Sequence, residues 1–436
     1  MCKDDRIIGW VSCDLGKKQM NSLLWFFSYE TLLSAALASL TFLFFLYFRK
    51  LTASTLQDNE LPFVTVIVPA RNEEGKIGRC LESLAVQDYP NYEVIAVNDR
   101  SDDRTGEIIE SIAKKHPQIK CINGVEAPPG WIGKCSALVQ AVKHSSGHGQ
   151  WYLFTDADTC HTPNSLRYSM SYAVRNNAEL ISFMPVQELG SFWERTVMPV
   201  LLGSFLCGDP LNTINEHTNE RAYAYGQYIL VRRDVYEAVG GHESVHDQIL
   251  DDISLARITK KHGYHITSAD GRLLYKVRMY TDLESLWQGW TKNLYALIDC
   301  NIVYLLTVLI LLNTAILAPF VSSGILFWSI LQQESAATLT VMTAFILCQF
   351  VLLGAWYKRC SEHYIGVDWR HFFLLPIGSL TVSLLYLHSA YLVHSGKKVS
   401  WKGRRYTVDT TKTIIDDDAV RGFPTPLRET AGVDRH

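Results

Sequence analysis

Apolar residues in this chain gather into four long blocks separated by one polar region. Residues 24–48 run from Leu24 to Phe48 with Glu30 as their only Asp, Glu, Lys or Arg, and about 20 apolar residues suffice for a helix to cross the hydrocarbon core of a bilayer. The block exceeds the roughly 7–15 apolar residues of a signal peptide, and no small-x-small cleavage site follows it before Arg49 and Lys50, so it predicts a retained span. Further apolar blocks occupy 302–331, 337–357 and 372–394. The polar region between, about 250 residues, mixes the periodicities of strands and helices.

Within that region the run Val64 to Pro69 is nearly all β-branched, which suits a strand buried on both faces. A helix is predicted from about Lys76 to Gln87, with Ile77, Leu81 and Leu84 at helical spacing. Strands are then predicted at Tyr92 to Val97, Lys120 to Asn123 and Trp151 to Thr155, and helices at Thr105 to His116 and Cys135 to His144. This alternation is the mark of an α/β, Rossmann-like, doubly wound sheet, in which ligands bind at the carboxyl ends of strands. The chain divides into a tail (1–23), a span (24–48), a catalytic-size domain (62–300), an apolar region of about three spans (302–394) and a basic, then polar, tail (395–436).

A net charge of −3 at neutral pH lacks the basic face that duplex binding needs, which sets nucleic acid aside as a partner. Ten cysteines without a CxxC pair read as reduced packing residues. Arg49, Lys50, Lys358 and Arg359 place the polar domain on the cytoplasmic side. The same rule conflicts with full crossing by every later block, because Lys397, Lys398, Lys402, Arg404 and Arg405 would then lie outside. Either one C-terminal block is re-entrant or interfacial, or the 302–331 block folds as a hairpin near Pro319.

The predicted strands end in acids: Pro69-Ala70-Arg71-Asn72-Glu73-Glu74, Asn98-Asp99-Arg100-Ser101-Asp102-Asp103, and Thr155-Asp156-Ala157-Asp158. One such acid after a strand is usually a turn former or a helix cap. Three acidic ends at one sheet edge, with Asp156 and Asp158 spaced to converge in extended chain, suggest a cation site instead. Carboxylates suit Mg²⁺ or Mn²⁺, which commonly take one or two protein carboxylates plus diphosphate oxygens. No GxxxxGKS loop is present, which excludes a P-loop nucleotidase.

This ordered set, with Asp251-Asp252 before Ile253-Ser254-Leu255, resembles the family 2 glycosyltransferases of GT-A type fold over residues 62–300. The resemblance implies a nucleotide-sugar donor, with Asp99 holding the uracil or ribose of a UDP-sugar, Pro69 to Glu73 lining the nucleoside pocket, Asp156 binding the nucleotide and Asp158 the metal. It also implies that Asp252 is the base accepting the acceptor's proton, with Asp251 raising its pKa by like-charge repulsion. A cap of the helix beginning there is the alternative role. Lys134, in Gly130-Trp131-Ile132-Gly133-Lys134 before a helix, is placed for phosphate contact, or else is a solvated lysine after a glycine turn.

On the acceptor side, Tyr225-Gly226-Gln227-Tyr228, Gly289-Trp290-Thr291-Lys292-Asn293 and Trp401-Lys402-Gly403-Arg404-Arg405-Tyr406 are similar to segments of transferases that glycosylate carotenoids and hopanoids. Gln227, Trp290 and Lys292 are the acceptor-site candidates. The Gln-x-x-Arg-Trp signature of polymer synthases and ceramide glucosyltransferases is replaced by Trp287-Gln288-Gly289-Trp290-Thr291-Lys292. The expectation is therefore single-hexose, inverting transfer, glucose by default, from a UDP-sugar to the hydroxyl of a terpenoid lipid at the cytoplasmic face of a bacterial membrane. Glycerolipid, hopanoid or sphingolipid acceptors, and a processive polysaccharide synthase, are the rival readings. The mixed apolar and charged stretches Phe192 to Leu206 and Leu283 to Ile298 are expected to be helices at the membrane interface.

Overall fold

The computed structural model describes residues 25–36, 38–40, 50–51, 55–206, 213–216, 219, 221–408 and 414–416. Of the predicted 24–48 span, residues 25–36 and 38–40 are helical, and the remainder lies outside the described residues.

The domain opens with β1 (Val64–Ala70), α1 (Ile77–Ala85), β2 (Tyr92–Asn98), α2 (Thr105–Ala113), β3 (Ile119–Asn123), α3 (Gly133–Lys143) and β4 (Trp151–Phe154), the predicted alternation. β1 is buried at every position but Pro69, as a strand covered on both faces must be, and Ile77, Leu81 and Leu84 of α1 are fully buried against it. There follow β5 (Thr159–His161), α4 (Ser165–Arg175), β6 (Leu180–Met184), β7 (Val186–Gln187), α5 (Phe192–Leu206), β8 (Ile229–Arg232), α6 (Arg233–Ala238), α7 (Asp251–Lys261), β9 (Ile266–Asp270), β10 (Tyr275–Val277) and α8 (Leu283–Leu297).

The main sheet has the order β3-β2-β1-β4-β8-β6-β9. The first four strands are parallel, as expected, but β8 is antiparallel to both β4 and β6, so the sheet is mixed and not wholly parallel. This is the GT-A-like α/β arrangement. A second sheet, β5-β10-β7, lies beyond β4 and carries the chain from Asp158 back toward the cavity.

Among the described residues, three helices are long and apolar enough to cross a membrane: α9 (Ile302–Leu331), α10 (Ala336–Cys360), and α11 (Leu375–Ser395) with the turn before it. α9 runs unbroken through Pro319, which rules out the hairpin reading. α5 and α8 are helical as predicted, and both pack along α11. The chain then forms a hairpin of β11 (Lys398–Trp401) and β12 (Arg404–Val408).

Candidate functional site

The register pairs Ala70 with Asn98 and Ile67 with Phe154, so β1, β2 and β4 leave the sheet at one edge. A cavity of about 670 Å³ lies against that edge, bounded on the far side by α8. It is lined by Pro69, Ala70, Arg71, Asn72, Glu73, Asp99, Lys134, Asp156, Asp158, Gln227, Asp252 and Lys292, every candidate from the sequence except Trp290.

At one end, Arg71 fastens the loops that follow β1 and β2. Its Nη1 donates to the carbonyls of Asp99 and Arg100, both at 2.8 Å, and its Nε to the carbonyl of Lys402 at 3.1 Å. Asn72 sits in the left-handed region at φ 51°, a conformation asparagine tolerates better than most residues. Its Oδ1 accepts from the Asp102 amide at 2.9 Å, and the Glu73 amide donates to Thr105 Oγ1 at 2.7 Å. Asp99 is 6% exposed and receives both Arg404 guanidinium nitrogens, at 2.8 and 3.0 Å, a bidentate pair. Lys402 pairs with Glu73 beside it.

The 401–406 segment, expected on the acceptor side, therefore docks at the end assigned to the nucleoside. Arg404 and Lys402 are the residues that sequence reasoning misplaced. The signal is a basic cluster after the last apolar block, which the sequence offers as a topology marker and as an acceptor-side segment, but not as a partner of Asp99. Gly133 makes the docking possible, because a Cβ there would lie 1.3 Å from Arg404 Nη1. Arg404→Ala, and separately Gly133→Ala, are expected to release the hairpin and raise amide exchange across 398–408 by at least about 10-fold, as loss of a buried charge pair should. Unchanged protection in both variants would show that the hairpin is held by other contacts.

In the middle of the cavity, Lys134 in the first turn of α3 reaches Asp156 at 3.0 Å and Asp251 at 3.7 Å. Its ammonium is thus held between the acids that follow β4 and those that begin α7, with pKa raised above the usual lysine value. Burial opposes that rise, and Asp156 and Asp251 outweigh it. Asp156 and Asp158 are brought together by a turn at Ala157 and Asp158, not by the strand alternation expected from their spacing. Burial, then Asp156 and Glu73, push the Asp158 pKa up to about 7.

Asp158 Oδ1 is buried with no hydrogen-bond partner, which is what a carboxylate oxygen awaiting a cation looks like. Among the described residues no group of three or more His, Cys, Asp and Glu is arranged to hold a metal unaided. The set fits a divalent cation whose coordination a diphosphate completes: Asp158 with Asp156 would hold it.

At the acceptor end, Asp252 lies in the first turn of α7. Its Oδ1 accepts from the Ile253 amide at 2.8 Å and its Oδ2 from the Gly226 amide at 2.9 Å. A Cβ at position 226 would lie 2.8 Å from Oδ2, so glycine there keeps the carboxylate in place. Burial first, then Asp251, push the Asp252 pKa up to about 6. The Ile253 bond satisfies one free amide of the first turn, but the N-cap position is Leu250, which makes no side-chain cap, so Asp252 is not the cap of α7. Lys292 faces the same space, its pKa lowered to about 8 by burial and then by Lys134. Gln227 lines the wall, while its carbonyl accepts from Thr155 Oγ1 at 2.7 Å. Trp290 packs behind the wall against Phe205 and Tyr280, with ring centroids 5.7 and 6.1 Å away, and so serves the core.

With this geometry in place, residues 65–240 match the model of Glycosyl transferase family 2. The chain carries a family 2 glycosyltransferase domain. The transferase is 26% identical over 365 residues to 4,4'-diaponeurosporenoate glycosyltransferase of Staphylococcus aureus strain USA300, covering 83% of this chain and 92% of that one. The strain N315 protein of the same name is 25% identical over the same length. Among solved structures, it is similar to mannosyltransferase PcManGT from Pyrobaculum calidifontis in complex with GDP-Man and Mn²⁺, at 17% identity and a TM-score of 0.45, covering 83% of this chain and 97% of that one. It is also similar to S. aureus TarS 1-349 in complex with UDP-GlcNAc, at 15% identity and a TM-score of 0.37, covering 79% of this chain and 96% of that one. Of the described cysteines, Cys80, Cys135 and Cys360 are buried and Cys348 is exposed.

Proposed function

We propose that this transferase moves a single hexose, glucose by default, from a UDP-sugar to the hydroxyl of a membrane lipid of terpenoid type, such as a carotenoid, at the cytoplasmic face of a bacterial membrane. The observation that carries this reading is the order of groups along one cavity: Asp99 at one end, Lys134 with Asp156 and Asp158 in the middle, and Asp252 at the end walled by α8. Donor nucleoside, diphosphate and acceptor hydroxyl need those groups in that sequence. The relatives named for a carotenoid acid support the acceptor class.

In the proposed reaction the loops pinned by Arg71 hold the nucleoside, and Lys134 faces the diphosphate from the amino end of α3, where free amides add to its charge. A bound divalent cation would neutralise charge developing on the departing diphosphate. Asp252 accepts the hydroxyl proton as the acceptor oxygen attacks the anomeric carbon, the bond to UDP breaks, and the anomeric centre inverts. The raised pKa suits this task, because a base close to the working pH takes a proton most readily in the transition state.

The sign of the pH dependence follows. Asp252 must be ionised, so turnover should fall as pH drops through about 6 and level off above it. UDP release that depends on a hydroxylated terpenoid in bilayers, with that acidic limb, is the expected result. A second reading is favoured by Lys292 on the acceptor wall and by the relatives' named acceptor: a carboxylate, already ionised, held by the lysine. It needs no base, so a carboxylate acceptor should give a profile without the limb at 6.

A further inference from the structure

Three apolar helices follow the domain, and three full crossings would leave the C-terminal hairpin across the membrane from the active site. The hairpin is not there: Arg404 is buried on Asp99 inside the cavity, so residue 404 is on the catalytic side. α9 and α10 pack together across a turn of four residues, 332–335, which takes the chain out and back. α11 must then begin and end on the catalytic side, although its 21 residues, roughly 32 Å at 1.5 Å each, would be long enough to cross.

The packing of α11 agrees. Helices of the catalytic domain touch it almost from end to end: Gly378 lies against the Thr196 carbonyl of α5, Trp287 Nε1 of α8 donates to His388 Nδ1 at 2.8 Å, the Tyr295 amide donates to Ser389 Oγ at 3.0 Å, and Tyr295 Oη meets His394 Nε2 at 2.9 Å. α8 cannot lie in the bilayer core, because its other face presents Gln288 and Lys292 to the cavity. The side of α11 turned away from the domain is an unbroken apolar stripe at steps of three and four: Ile377, Leu380, Leu384, Leu387 and Tyr391, each 44–56% exposed. α11 also packs against α9 through Asn313, which is bonded to Ser379 and Ser383.

We infer that α11 does not cross the membrane but lies along its cytoplasmic surface, with this stripe sunk into the acyl region of one leaflet. The reaction cavity is then separated from the leaflet under the stripe by two helix layers, α11 and α8, roughly 20 Å at about 10 Å each. An amphiphile can keep its tail in the leaflet and present its polar end past the edge of these two helices. The arrangement also places Lys358, Arg359, Lys397, Lys398, Lys402 and Arg404 on one side, which removes the conflict with the charge rule. It holds whichever donor and acceptor the enzyme uses.

The test uses the full chain in lipid vesicles, with nitroxide side chains placed one at a time at Ile377, Leu384 and Tyr391 and their depths read from accessibility to oxygen and to a water-soluble relaxant. A surface helix gives three shallow and similar depths. A crossing helix puts position 384 deepest and positions 377 and 391 near opposite faces, which would overturn the inference. A second measurement is independent of label depth: protease sites introduced at 366–368 and after Val408 should be cut from the same face of the vesicle, and one at 332–335 from the other. Cleavage of the first two from opposite faces would also overturn it.

Discussion

Asp252→Asn is expected to lower turnover by about 10²-fold or more while UDP and Mn²⁺ still bind, the scale of a lost general base. The substitution keeps the size of the side chain and its place in the first turn of α7. Its one real structural cost is at the backbone: both carboxylate oxygens of Asp252 accept amide hydrogens, from Ile253 and Gly226, and the asparagine NH₂ can accept neither. One unmatched amide costs about 1–3 kcal/mol, enough to lower the melting temperature but not to unfold a domain of this size. Donor affinity from calorimetry and turnover at saturating acceptor therefore separate the two roles. Turnover near the wild-type value with a hydroxyl acceptor would leave Asp252 as an acceptor of backbone amides only, and Asp251, 3.7 Å from the Lys134 ammonium, would be the next base to examine. The acidic limb near pH 6 should vanish in the variant together with the rate.

Asp158→Asn should fail at an earlier step. With one carboxylate oxygen buried and unpartnered, Asp158 costs the metal-free fold stability, and a cation would relieve that cost. Chelation with EDTA should abolish transfer in the wild type, and Mn²⁺ or Mg²⁺ should restore it. In the variant, donor binding at limiting metal should fall by about 10-fold or more, in the range seen when supporting groups of a metal site are lost. The metal-free variant should melt at or above the wild type, whereas only the wild type should gain stability from Mn²⁺ with UDP. Full activity of the stripped wild type would remove the cation from the mechanism.

Much of this site was legible in the chain because it is written in short local patterns. Val64 to Pro69 can only be a buried strand, and acids directly after such strands must meet at the edge where parallel strands end. Asp99, Asp156 and Asp158 are found that way, Asp252 through the family resemblance, and the structure brings all four into one cavity. What was not legible depends on contacts between distant segments. The antiparallel course of β8 is fixed by its pairing with β4 and β6, about 75 and 50 residues earlier. Arg404 meets Asp99 across 305 positions, so no local pattern could report it, and its basic neighbours carried a second meaning as a topology signal. Trp290 is the opposite case: the sequence offers it as an acceptor-site candidate beside a cavity-lining glycine, while the turn of α8 points it into the core.

The most direct test of the whole account is a comparison by mass spectrometry of lipid extracts from cells with and without the active transferase, using Asp252→Asn as the inactive control. The account predicts a terpenoid lipid heavier by one hexose in the active sample alone, formed in vitro from UDP-glucose with one UDP released per sugar transferred. Long polysaccharide made from the same donor, or identical lipid profiles in the two extracts, would contradict it.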